Sequence, residues 1–281
     1  MDPVPVLVGA AVALALIVLG VRLRGEGGRA SAGAGVIALA PVIAVFTTLF
    51  VAGQSIDVPP HQFLDWVLLA GVVAVPVGLL ASRGGVASIG ATALVALIAV
   101  VLFTVPTESL HERYWDGRVA LYVSVLTIAV VGSFGARVAA AALGRSTEML
   151  LASAIAMLAA APALGLSGTG TSALLVAAVS SSAGLFGLYL VARKDVRECG
   201  APLDRASAAP QSILFGGLLA NGVLYAETPR GAGALLIAAP LVALVPGKGL
   251  PASIVRLVIV VAICATAAWL SKGEPDPYSA Y

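Results

Sequence analysis

Charge in this chain is confined to short clusters, and between the clusters lie ten long apolar runs: residues 4–21, 35–53, 66–81, 86–105, 119–140, 148–166, 172–192, 212–226, 231–245 and 252–270. A hydrocarbon core of about 30 Å takes roughly 20 apolar residues in a helix, so most of these runs have the length of a membrane span. Inside a bilayer every backbone polar group needs a partner within its own segment, which leaves helices as the reading for runs of this length. The expected fold is therefore an all-α, polytopic helical bundle. Hydrophobic residues make up 60% of the 281, charged residues 11%, and the mean hydropathy is +1.04, values that exclude both a soluble globular chain and a disordered one. A formal net charge of +2 offers no basic surface for nucleic acid.

The third, eighth and ninth runs are short, so eight crossings plus a re-entrant pair is the alternative to ten. Nothing basic precedes the first run, whereas Arg22, Arg24 and Arg29 follow it, which predicts an uncleaved first helix with its amino terminus outside. Ten crossings then put the carboxyl terminus outside as well. With that orientation twelve of the sixteen Lys and Arg and only five of the fourteen Asp and Glu fall on the inner side, as the resistance of Lys and Arg to translocation demands. Trp66, Trp115 and Trp269 fall at outer ends of runs, where an indole sits well among headgroups. The same arrangement predicts that Cys199 is labelled by an impermeant thiol reagent in inside-out vesicles and spared in spheroplasts. The whole chain, 1–281, reads as one transmembrane domain; the longest inner connection, 193–211, divides seven spans (1–192) from three (212–271). Thirteen arginines against three lysines, with abundant Ala, Gly and Val, fit a GC-rich bacterial genome and hence a bacterial inner membrane.

No inverted repeat links the two halves. Pro41, Pro76, Pro162 and Pro240 interrupt apolar runs and predict kinks whose freed carbonyls need other partners. Ser180 and Gly184, four residues apart, predict a close helix contact.

For chemistry, no Asp, Glu, Lys or His falls near the middle of any run. Arg137 and Arg256 lie near inner ends and are expected to snorkel to the headgroups, and Asp204 is expected in the inner connection. Ion-coupled carriers keep a carboxylate at mid-depth, so this pattern argues against coupled transport. Polar side chains collect instead on the outer side. Residues 106–118 carry a capping box, Ser109 with Glu112, and predict a short interfacial helix. Glu108 and His111 have the i, i+3 spacing of a metal-sharing pair, and the neighbouring loop supplies Asp57, His61 and Asp65. Two histidines and no cysteine cluster do not make a zinc or iron site, so no metal and no cofactor are expected. Gly165-Leu166-Ser167-Gly168 matches a serine-nucleophile pattern, but no histidine follows it to accept the proton, and a tight hairpin is the better reading. No catalytic residue is assigned. Asn221, Tyr225 and Glu227 in the outer half of the eighth run, with His61, Asp65, Glu108 and His111, form the candidate ligand-binding set.

Pro59-Pro60 with Asp65-Trp66, Trp115, Leu166-Ser167-Gly168, Leu224-Tyr225-Ala226-Glu227 with Pro229, and Ala239-Pro240-Leu241 resemble recurring pieces of a family of bacterial polytopic membrane proteins of the planctomycete type. The resemblance implies a membrane protein and brings no activity, cofactor or substrate with it. The expected function is a permease or flippase-like pathway for a small or amphipathic solute. The alternatives are a non-catalytic subunit or scaffold of a membrane assembly, and an enzyme acting at the outer leaflet. Expected partners are the lipid bilayer and other membrane proteins or further copies of the chain.

Overall fold

The computed structural model describes residues 2–25, 30–55, 60, 62–104, 119–166, 170–193, 200–225, 228–247 and 249–272. Ten α-helices follow one another among them, with no strand: α1 Val4–Gly25, α2 Ala30–Val51, α3 Phe63–Ser82, α4 Val86–Thr104, α5 Val119–Ala142, α6 Ser146–Leu166, α7 Gly170–Ala192, α8 Gly200–Tyr225, α9 Arg230–Ala238 and α10 Leu250–Leu270. A 3-10 helix, Ala239–Leu244, continues α9. Eight of the ten, α1 to α7 and α10, are long and apolar enough to cross a bilayer. The protein is thus a multi-pass, all-α integral membrane bundle.

The remaining two are the pair that run length alone leaves open. α8 has 26 residues. Its first half reads as loop in the sequence, and the structure corrects this: residues 200–211 are helical. Pro202 lies in the first turn, where a missing N–H costs nothing. Pro210 lies inside the helix and leaves the Ala206 carbonyl without its i+4 donor. Gly78 of α3 meets that carbonyl. A Cβ at position 78 would collide with the Ala206 oxygen and touch Pro210, so only glycine lets α3 approach the proline-altered turn. α9 and its 3-10 extension, nine and six residues, together span about 25 Å at the usual rises. They run from the Tyr225 end of the bundle to the end that carries Arg145, and neither this segment nor α8 is among the eight helices long and apolar enough to cross a bilayer.

α8 forms the centre. Every residue from 206 to 220 is buried, and the helix packs against α2, α3, α5, α6 and α7. Lipid supplies no hydrophobic drive between helices, so close packing at small residues has to do the work. A Cβ on Gly71 or Gly217 would press on Leu214 or Val67 across the α3–α8 contact. Between α6 and α7, Ser180 Oγ donates to the Ala154 carbonyl at 2.8 Å, and a Cβ on Gly184 would sit 3.4 Å from that of Ala154, the close contact expected from their spacing. α1 and α2 form a tight hairpin where Gly9, Gly20 and Gly33 leave no room for side chains.

One end of the bundle is clasped by arginines. Gly144, with φ of 69°, ends α5 in the left-handed region and the Arg145 N–H returns to the Ala140 carbonyl at 2.7 Å. The Arg145 guanidinium then donates to the carbonyls of Ala243, Leu244, Val245 and Gly247 at 2.8–3.3 Å, satisfying groups that the end of the 3-10 helix leaves open. Arg256 does not snorkel outward as its place in the run suggests. It is buried, donating to Val245 and Gly247 and pairing with Glu148 at 2.6 Å, while Ser253 donates to the same carboxylate.

Candidate functional site

The main correction to the sequence reading concerns Arg137. Its side chain is 1% exposed and turned into the bundle, away from the headgroups. On α8, Asp204, Ser207 and Gln211 are spaced by three and four residues and therefore share one face. That face receives the guanidinium. Arg137 Nη2 donates to Asp204 Oδ1 and, at 3.0 Å, to Ser207 Oγ, and Nη1 donates to Gln211 Oε1. The Gln211 amide continues to Ser182 of α7, donating from Nε2 to Oγ at 3.3 Å. Four residues from Arg137 on α5 and one residue past Gln211 on α8, the hydroxyls of Ser133 and Ser212 meet at 3.4 Å.

A buried ion pair of this kind is costly unless its remaining donors and acceptors are met. Asp204 is fully buried, and Arg137 Nε has no hydrogen-bond partner. Ser146 at the start of α6 sets its buried hydroxyl against the carboxylate and helps to hold its charge. Arg205 adds a second positive charge nearby. Arg205 carries its guanidinium beside Gly84, so Arg137 is the cation paired with the carboxylate. Arg137 lies five residues from the end of α5 and Asp204 four residues into α8, so the centre is about 6–8 Å inside the Arg145 end of the bundle.

Beyond the Ser133–Ser212 contact, toward the other end, α5 and α9 diverge. They enclose a groove of about 540 Å³ whose floor is α8, at Leu219, Ala220 and Val223. Its walls are Leu121, Val125, Ile128, Gly132 and Ser133 on one side and Arg230, Ala234, Ile237 and Leu241 on the other. Leu121, Val125 and Ile128 are more than half exposed, so the groove faces sideways, toward the acyl chains of a surrounding bilayer. Among the described residues that line it, Ser133 and Arg230 are the polar ones.

The residues proposed from sequence fare differently. Asn221 donates from Nδ2 to Ser172 Oγ at 2.8 Å and ties the end of α8 to the start of α7. Asp65 is buried and accepts from the Gln62 N–H at 3.2 Å, capping α3. Each therefore has its own structural partner, and nothing places the two in one site. Tyr225 ends α8, with its side chain outside the described residues; His61, Glu108, His111 and Glu227 lie outside them entirely, as does the interfacial segment 106–118. Among the described residues no three His, Cys, Asp or Glu gather as metal ligands. The signal for the buried centre is present in the sequence: an arginine within an apolar run calls for a partner, and Asp204, Ser207 and Gln211 repeat at helical spacing before the next run. Pro202 and Pro210 obscure it by reading as loop.

Comparison with known proteins adds no name to this geometry: no family model, no curated protein and no solved structure matches the chain.

Proposed function

We propose that the chain is a permease or flippase-like pathway of a bacterial inner membrane, taking an amphipathic solute from the bilayer. One observation carries this reading. An apolar groove open to the membrane and a buried Arg137–Asp204–Gln211 centre lie consecutively along the same two helices, separated by the Ser133–Ser212 contact. The groove matches an apolar tail, and the centre beyond the Ser133–Ser212 contact supplies the polar groups that a head would meet during passage, with Arg137 Nε still open. Charged groups buried in a membrane bundle commonly mark solute paths, because lipid makes them expensive to keep without use.

The test is reconstitution of the purified chain into vesicles carrying labelled phospholipid, lysophospholipid or a single-chain amphiphile in one leaflet. Acceleration of transbilayer movement, reduced by Arg137→Gln, is the expected result. No acceleration for any of the three would remove the pathway reading. The scaffold reading would then take its place, supported by the continuous burial of α8 between residues 206 and 220, which favours a rigid core.

A further inference from the structure

From the shape of the groove we infer that it is a binding site for one acyl chain of an anionic glycerophospholipid, with the phosphate held at Arg230. The inference rests on the pathway reading only for its consequence, since a lipid can reside there without being moved. From Leu121 to Ser133 the groove follows α5 for about 18 Å, close to the depth of one leaflet of a hydrocarbon core of about 30 Å. Its inner end is closed by the Ser133–Ser212 contact, so a chain entering from the surface stops near the middle of the bilayer. At the opposite end stands Arg230, exposed at the first position of α9, where a headgroup lies when its chain is in the groove. A guanidinium carries five N–H donors in a planar fork suited to phosphate oxygens, so Arg230 can grip a phosphate while keeping a contact within the chain. An apolar slot one leaflet deep with a cation at its mouth has the charge pattern of an anionic lipid. A zwitterionic lipid gains less there, because its ammonium meets the same positive charge.

Gly132 makes the groove testable without disturbing the fold. A Cβ added there has no heavy atom within 4 Å, so the side chain of Gly132→Leu starts from open space and extends into the slot. Ala234→Phe fills it from the opposite wall, where Ala234 is exposed. The experiment is native mass spectrometry of the full chain in detergent with equal amounts of phosphatidylglycerol and phosphatidylcholine. The wild type should retain phosphatidylglycerol about fivefold better, the equivalent of about 1 kcal/mol for one cation at the membrane surface. Arg230→Gln should bring the ratio to about one while lipid is still retained, and Gly132→Leu and Ala234→Phe should lower retention of both lipids. An unchanged ratio in Arg230→Gln, or wild-type retention in both filled variants, would overturn the inference. Transbilayer assays separate it from the pathway reading: retention without movement removes the pathway alone, and movement without selective retention removes this site alone.

Discussion

The two ends of the α5–α8–α9 triangle are built on opposite principles. Toward the Arg145 end, α5 packs along the 3-10 segment and α6, and guanidinium groups tie the helices together: Arg137 to α8, Arg145 to the 3-10 carbonyls, Arg256 to Glu148 of α6. Toward the Arg230 end, α5 scarcely touches α9, and the described residues of the walls between them are apolar apart from Ser133 and Arg230. The difference shows what holds helices together once lipid has removed the hydrophobic drive. Polar ties and glycine contacts close the bundle where they occur, and where both are absent it opens to the membrane.

Unpairing the buried charge should loosen the closed end most. Arg137→Ala leaves Asp204 fully buried with its counter-ion removed, and loss of one partner of a buried pair costs about 3–5 kcal/mol. Thermal unfolding in detergent should show a larger drop for this variant than for any single substitution at Gly78, Arg145 or Asn221. The double change Arg137→Gln with Asp204→Asn should recover a substantial part of it, because no bare charge remains. A double variant as unstable as Arg137→Ala would mean that shape, not charge, closes this end.

Next in size is the glycine contact. Gly78→Ala forces α3 away from the Ala206 carbonyl that Pro210 leaves open, and overpacking of this kind costs about 1–3 kcal/mol. The same change at Gly132, on the open side, meets nothing and should leave the unfolding temperature unmoved. Equal losses at the two positions would erase the distinction between a closed and an open end.

Much of the architecture is legible in the sequence because hydropathy and length are local properties. The runs at 4–21, 86–105 and 172–192 overlap the helices Val4–Gly25, Val86–Thr104 and Gly170–Ala192 closely. What local patterns cannot supply is which polar residues face one another. Asp65 reads as a boundary and instead lies in the first turn of α3, accepting the N–H of Gln62. Asp204 and Gln211 dilute the apolar signal of α8 for the reason that makes them informative: they face Arg137, 67 and 74 residues away in the chain. Proline reads as a loop signal in isolation, whereas Pro210 is held inside a helix by its neighbour on α3. The groove is illegible for another reason, since it arises from the divergence of two helices whose sequences give no sign of their mutual angle.

Loss of the Arg145 clasp should have an intermediate effect on the closed end. Arg145→Ala removes a donor shared by four carbonyls at the end of the 3-10 helix, of which Val245 and Gly247 keep Arg256 as a second partner. Ala243 and Leu244 lose more. Because the site is partly exposed and water can replace some of the lost bonds, the expected cost is about 1–2 kcal/mol. Hydrogen exchange should locate it: amides of the 3-10 segment should exchange faster, while those of α8 keep wild-type protection. Equal deprotection of α8 would mean that the clasp and the buried centre form one cooperative unit.

The smallest expected effect falls on Asn221, and it decides whether this residue belongs to a ligand site or only to the packing. Its amide donates to Ser172 across the α7–α8 contact, and such interhelical hydrogen bonds in membranes are worth about 0.6 kcal/mol on average. Asn221→Ala should therefore lower stability slightly and equally with or without added lipid. Ser172→Ala should give the same small loss, and the double variant little more, because both remove one bond. If Asn221 also contacts a ligand, its replacement will lower lipid retention or transbilayer movement beyond what Ser172→Ala does. The loss of a shared bond cannot produce that asymmetry, so a difference between the two single variants would bring Asn221 back to the functional side of the molecule.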